Sequence, residues 1–182
     1  MQTVLSLPGS TCERTRISIE RGAATAWIAA CCVAAMLALA TQGAAADLPT
    51  RPTLNLATIK TMVAAAEAEA ARRNVQVTIC VVDESGNLLF FEKADGATLN
   101  TIQFAQKKAR HAAFYGQPSA AGAEAVKKGN VEVLAFPEFF PNQGGLPIKV
   151  GSVIVGGIAA SGAKSEIDEA IAQAGLDAVF KR

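Results

Sequence analysis

The chain is poor in the residues that carry most enzyme chemistry. Its 182 residues include one histidine, one tyrosine, one tryptophan and four cysteines. Three of the cysteines, Cys12, Cys31 and Cys32, fall within the first 46 residues, so Cys80 stands alone beyond them and no internal disulfide can brace that part. A single histidine, His111, excludes any catalytic constellation or metal site that needs two. After residue 46 there is no G-x-S-x-G elbow, no phosphate-binding loop and no C-x-x-C pair, and the small-residue run GGIAASG follows no dinucleotide-binding pattern. Charge of one sign is lacking as well. The formal net charge is +1, and residues 47–182 hold 14 basic and 14 acidic side chains, which leaves no basic excess for a phosphate backbone and argues against nucleic-acid binding.

What is present begins with an export pattern. Arg14, Arg16 and Arg21 precede the uncharged run AATAWIAACCVAAMLALA, and GAAADLPT then supplies the small residues a signal peptidase reads. Cleavage is expected after Ala46, with Ala44 and Ala46 as the A-x-A pair, giving a periplasmic or secreted protein. The apolar run of Ala23–Ala40 sits at the short limit for a membrane span, so a retained anchor is the alternative, and it alone would put the protein on a membrane. Residues 47–53 form a proline-bearing lead-in, and 54–182 are expected to fold as one domain.

The hydrophobic period places the elements. Leu56, Ile59, Val63, Ala66 and Ala70 have helical spacing, with Asn55 or Thr53 as cap and Asn74 as stop. The period then becomes two: Val75, Val77, Ile79 and Val81 open a strand whose other face turns apolar at its end, DESGN makes a turn, and LLFFEKA returns as partner strand. A second helix runs to about Tyr115 with Gly116 as stop. Ser119 caps a shorter third one, and VEVLAF (131–136) reads as a short strand. Two further strands flank a turn near Gly151, and a last helix starts at Ser165 with Asp168 as a weak capping-box partner. The expected class is α+β: an antiparallel sheet of about five strands flanked by helices.

Two features have chemical interest. On the second helix, Phe104, Lys108, His111 and Tyr115 fall on one side and Ala105, Ala109, Ala112 and Ala113 on the other. Either the alanines pack on the sheet and the rest is solvated or covers an oligomer contact, or the aromatic and cationic side walls a ligand. A planar anionic ligand such as haem wants aromatic faces, a cation for its carboxylates and an imidazole for iron, which makes His111 a candidate metal ligand. The loop FFPNQGGLPI (139–148) is the second feature. Pro141 and Pro147 fix its ends, while Gly144 and Gly145 either present backbone N–H groups to an anion or simply allow a tight connection. Cys80, among Ile79, Val81 and Val82, reads as a buried thiol, with a reactive one as the alternative.

VVDESGNLLFFEKADGA, AQKKARHAAFYGQPS, GGLPIKVGSVIVGGIAASG and DEAIAQAGLDAV, in this order and spacing, resemble the GlcG/HbpS family, which is itself similar to the C-terminal domain of PduO-type proteins. The resemblance runs from about Leu54 to Phe180. It implies an α+β domain that often assembles into symmetric oligomers, and some members bind haem. Motif positions that carry over are Asp83, Gly86, Asp95, Gly96, Ala97, Lys108, Ala109, Gly144, Gly145, Pro147, Gly156, Ser161, Gly162, Asp168, Ala174 and Gly175. Where His111 stands the family more often shows threonine or another small residue, so a ligating role for His111 rests on the helix face alone.

The resulting expectation is an exported, homo-oligomeric ligand-binding domain taking haem or a related planar anionic molecule between the second helix and the Gly144–Gly145 loop. Lys108 would pair with a propionate, Phe104 or Tyr115 would stack, His111 would bind iron and the loop N–H groups would complete the contacts. An enzyme acting on a small organic acid, with His111 or Lys108 as general acid or base, is the alternative. An oligomeric accessory protein without a ligand is the third reading.

Overall fold

The computed structural model describes residues 47–180; the segment expected to direct export, with its expected cleavage point after Ala46, lies outside the described residues. The first helix, α1 (Leu56–Arg72), starts where the Asn55 side chain accepts the Thr58 N–H at 2.8 Å, relieving one unpaired first-turn donor. It buries Ile59, Met62, Val63, Ala66 and Ala70, and the chain leaves it through Asn74 at φ 53°. Strands β1 (Thr78–Asp83) and β2 (Leu88–Lys93) form the expected hairpin. Asp83 Oδ1 accepts the N–H groups of Ser85 and Asn87, which is why an aspartate opens this turn.

Helix α2 (Asn100–Tyr115) stops at Gly116, whose φ of 64° a β-carbon would disfavour. Helix α3 (Ser119–Lys127), strands β3 (Gly145–Val150) and β4 (Val153–Ser161), and helix α4 (Ser165–Phe180) complete the order. Among the described residues no helix is long and apolar enough to cross a membrane.

The sheet runs β2-β1-β4-β3 with every pairing antiparallel, Thr78 lying between Lys93 and Ser161. Its period-two pattern sends Val77, Ile79, Val81 and Ile158 into a core with α1 and α4, which contribute Met62, Val63, Ile171 and Ala172. The opposite face carries Cys80, Val82 and Ala159 against Ala105, Ala109 and Ala113 of α2. Strand β1 is thus covered on both sides, which explains an apolar second face in a strand that starts by alternating.

Four strands are present among the described residues, not about five. Residues 131–136, expected as a strand, contain a 3-10 turn at Glu132–Ala135. Its amides are spent locally, Leu134 N–H on Val131 O and Phe136 N–H on Val133 O, and of its side chains only Val133 is buried, so it has neither a partner strand nor a face to cover. The two serines expected as caps lie inside the first turns of their helices, and Ser119 Oγ serves the neighbouring loop instead.

Candidate functional site

Helix α2 meets the sheet almost backbone to backbone. A β-carbon on Gly145 would run into the Lys108 carbonyl, and one on Gly157 into that of Ala109. The small residues of both partners are therefore what set this distance. At so close an approach more of the helix is covered than its alanine stripe. Lys108 is 2% exposed and His111 0%, while Phe104 remains 37% exposed and Tyr115 is half-buried. The solvated face expected from spacing is therefore split.

Lys108 Nζ donates to Asp168 Oδ2 at 2.8 Å and to the Ala160 carbonyl at 3.3 Å. Asp168 Oδ1 accepts the Ala163 N–H at 2.9 Å. Helices α2 and α4 cover opposite faces of the sheet, so this pair joins the layers around the sheet margin. The passage lies beside Gly144, where a β-carbon would stand 2.9 Å from both Lys108 Nζ and Asp168 Cβ. Burial lifts the Asp168 carboxyl above its ordinary range, and Lys108 beside it pulls the other way. The pair floors an open, polar cleft of about 230 Å³ walled by Thr98, Asn100, Phe104, Asn142 and Ser165. An ammonium has three donors, and two acceptors for Lys108 are accounted for.

His111 and Tyr115 belong to a different arrangement. The His111 ring packs at 4.9 Å from both the Tyr115 and Phe139 rings. Gly122 of α3 lies over it, a β-carbon there standing 2.9 Å from Cε1 and 3.3 Å from Nε2. Nδ1 accepts the Phe140 N–H at 2.9 Å, while Nε2 is buried without a hydrogen-bond partner in the protein. Burial lowers the pKa of the ring, which favours neutral imidazole. The same helix face grips the loop at further points. Tyr115 OH donates to Pro137 O at 2.6 Å, and Arg110 makes two 2.7 Å bonds to Glu138. Ser119 Oγ donates to Asn142 O and accepts the Gly145 N–H.

These contacts test the expected haem pocket directly. A neutral imidazole whose Nδ1 accepts a proton donor carries its own proton on Nε2, leaving no lone pair there for iron, and Gly122 and Phe139 close the approach. His111 therefore does not fit as the metal ligand. The charge of Lys108 is already matched by Asp168 and two of its three donors are in use, and the Gly145 N–H is taken by Ser119, so neither is the ready anion partner expected for a propionate. Phe104, Lys108 and Gly144 come together at the cleft, whereas His111, Tyr115 and Gly145 secure the loop. Among the described residues no group of three or more His, Cys, Asp or Glu could hold a metal ion. Cys80 is buried in the sheet, which pushes its thiol pKa up to about 12 and leaves it inert.

Three participants were missed by spacing alone. Asp168 read only as a capping residue, because nothing local ties it to a lysine 60 positions away. Phe140 read as part of a proline loop, yet its ring stands 5.7 Å from that of Phe104 at the cleft mouth. Lys107, beside the singled-out Lys108, holds its ammonium 5.6 Å from the Phe140 ring and is exposed. The two consecutive phenylalanines, Phe139 and Phe140, immediately before Pro141 were the one available hint.

Comparison with known proteins agrees with this architecture. The chain is 30% identical over 129 residues to an uncharacterised 15.0 kDa protein from the dhaT-dhaS intergenic region of Citrobacter freundii, spanning 69% of this chain and 91% of that one. A double mutant of HbpS from Streptomyces reticuli superposes with a TM-score of 0.69 at 26% identity, covering 78% of this chain and 97% of that one. The PduOC–haem complex shares the fold, with a TM-score of 0.66 at 23% identity over 71% of this chain and 96% of that one. The family model described as haem degrading protein HbpS-like matches residues 54–177, and the chain belongs to that HbpS-like family.

Proposed function

We propose that this chain is an exported binding protein for haem or a related planar anionic molecule, held at the mouth of the polar cleft. The observation that carries the reading is the Phe104–Phe140 ring pair, with Lys107 as a solvent-facing cation beside it, on the rim of that cleft. Two aromatic rings offer faces for a flat ligand, and Lys107 is placed for a carboxylate at its edge. Asn142 and Ser165 line the cleft below and supply polar groups for any part of the ligand that enters. The family description, and the haem complex formed by a protein of the same fold, support haem as the first ligand to try. Haem when bound would supply iron chemistry; the residues here supply stacking, charge and enclosure, and His111 supplies no ligand bond. Removal of residues 1–46 after export belongs to the same proposal. So does a second copy of the chain covering the exposed Val131, Leu134 and Phe136, which sedimentation as a monomer would refute.

Hemin titration of the purified protein, followed by absorbance, tests the site. A saturable Soret change is expected. Phe104→Ala should weaken it about tenfold, the value of one well-placed aromatic contact at roughly 1.4 kcal/mol. Unsaturable binding indifferent to Phe104→Ala and Lys107→Ala would sink the proposal. The buried Lys108–Asp168 pair on the cleft floor favours a second reading, an enzyme acting on a small organic acid. Saturable binding of lactate without any response to hemin would move the function there.

A further inference from the structure

We propose that His111 is a positioning residue: its neutral imidazole holds Phe140 in the ligand-binding rim, and its protonation releases the segment from Pro137 to Asn142. The Phe140 N–H can donate only to a ring nitrogen with a free lone pair, and Nδ1 is that acceptor at 2.9 Å. A proton taken from solvent would have to settle on Nδ1, since Nε2 already carries one. The ring would then turn a donor toward the Phe140 donor, and Nε2–H would remain buried without an acceptor. Breaking the contact and moving the loop is the way out of that conflict.

The surroundings offer no charge to stabilise the cation in place. From α2 the ring meets Tyr115, from the loop it meets Phe139 and the Phe140 backbone, and from α3 it meets Gly122. The charged groups on these elements are committed elsewhere: Arg110 to Glu138, Lys108 to Asp168 and Lys127 to Glu124, while Lys107 lies over Phe140 and Lys128 ends α3 in solvent. Because Phe140 supplies half of the proposed aromatic platform, losing its anchor removes a ligand face without touching the ligand. The ligand half of this inference rests on the binding reading above. The clasp itself does not.

Three measurements test it. Nitrogen-15 correlation spectra of the one histidine should show the Nε2–H tautomer at neutral pH, and the Nδ1–H tautomer would overturn the proposal without any variant having to fold. Hydrogen exchange over residues 136–142, corrected for the intrinsic pH dependence, should lose protection tenfold or more as pH falls from 7.5 to 5. His111→Asn, whose Oδ1 can replace Nδ1 as acceptor but cannot titrate, should keep its protection across that range; His111→Ala should lack it throughout. Wild-type protection that ignores pH, or a His111→Asn protein that titrates like wild type, overturns the clasp. Hemin affinity is expected to fall in parallel with protection. If exchange behaves as stated and hemin affinity does not follow, the clasp stands and the ligand platform on Phe140 is overturned.

Discussion

A lysine and an aspartate buried to 2% and 3% side-chain exposure are costly to separate and much cheaper to remove together. Lys108→Met leaves the Asp168 carboxylate uncompensated and should destabilise the protein by about 3–5 kcal/mol in urea unfolding. Adding Asp168→Leu should recover most of that loss, short of full recovery because the Ala163 N–H then loses its acceptor. A double variant no more stable than Lys108→Met would show that the pair contributes more than its mutual compensation. The residue scale is also where sequence reading reached least far. Helical spacing placed Lys108 and His111 with Phe104 correctly as neighbours on α2, but no spacing rule states what the chain brings in from residues 137–168 to cover them. Burial turned an expected propionate partner into half of an ion pair and an expected iron ligand into a hydrogen-bond acceptor.

At the scale of elements the sequence was far more legible, since each boundary has a local cause. Asn55 caps α1, Asp83 and Gly86 make the first turn, Gly116 ends α2 and Gly151 turns β3 into β4. The 131–136 segment failed because its alternating apolar residues are compatible with a strand, and only the lack of a neighbouring strand decides otherwise. The glycine loop had two open readings, and the contact between β3 and α2 supports the tight connection. Gly145→Ala drives a methyl group into the Lys108 carbonyl, which neither element can yield without opening the sheet. A loss of about 3 kcal/mol or more is expected, with the thermal midpoint as readout. Gly145→Ala with unchanged stability would mean that α2 can lift from the sheet at little cost.

For the whole molecule, acid stability separates the buried groups by sign. The pKa of His111 is lowered in the fold by burial, so its contribution is full above the ordinary value of about 6.5 and is lost as pH falls through its lower folded value. Asp168, raised by burial, acts oppositely and adds stability as pH falls through its folded value. Any loss of stability between pH 6.5 and 5 should therefore vanish in His111→Asn. A decline that persists in that variant would place the acid sensitivity elsewhere. The fold class and its order of elements were readable because they follow from periodicity, while the site depended on which distant segments meet. The glycine contacts under α2 carry one more consequence. A helix resting on side chains can roll as they change rotamer, but α2 rests on main chain at Lys108 and Ala109 and has no such bearing. It is a fixed rail, so whatever movement admits a ligand is left to the clasped segment on its outer side.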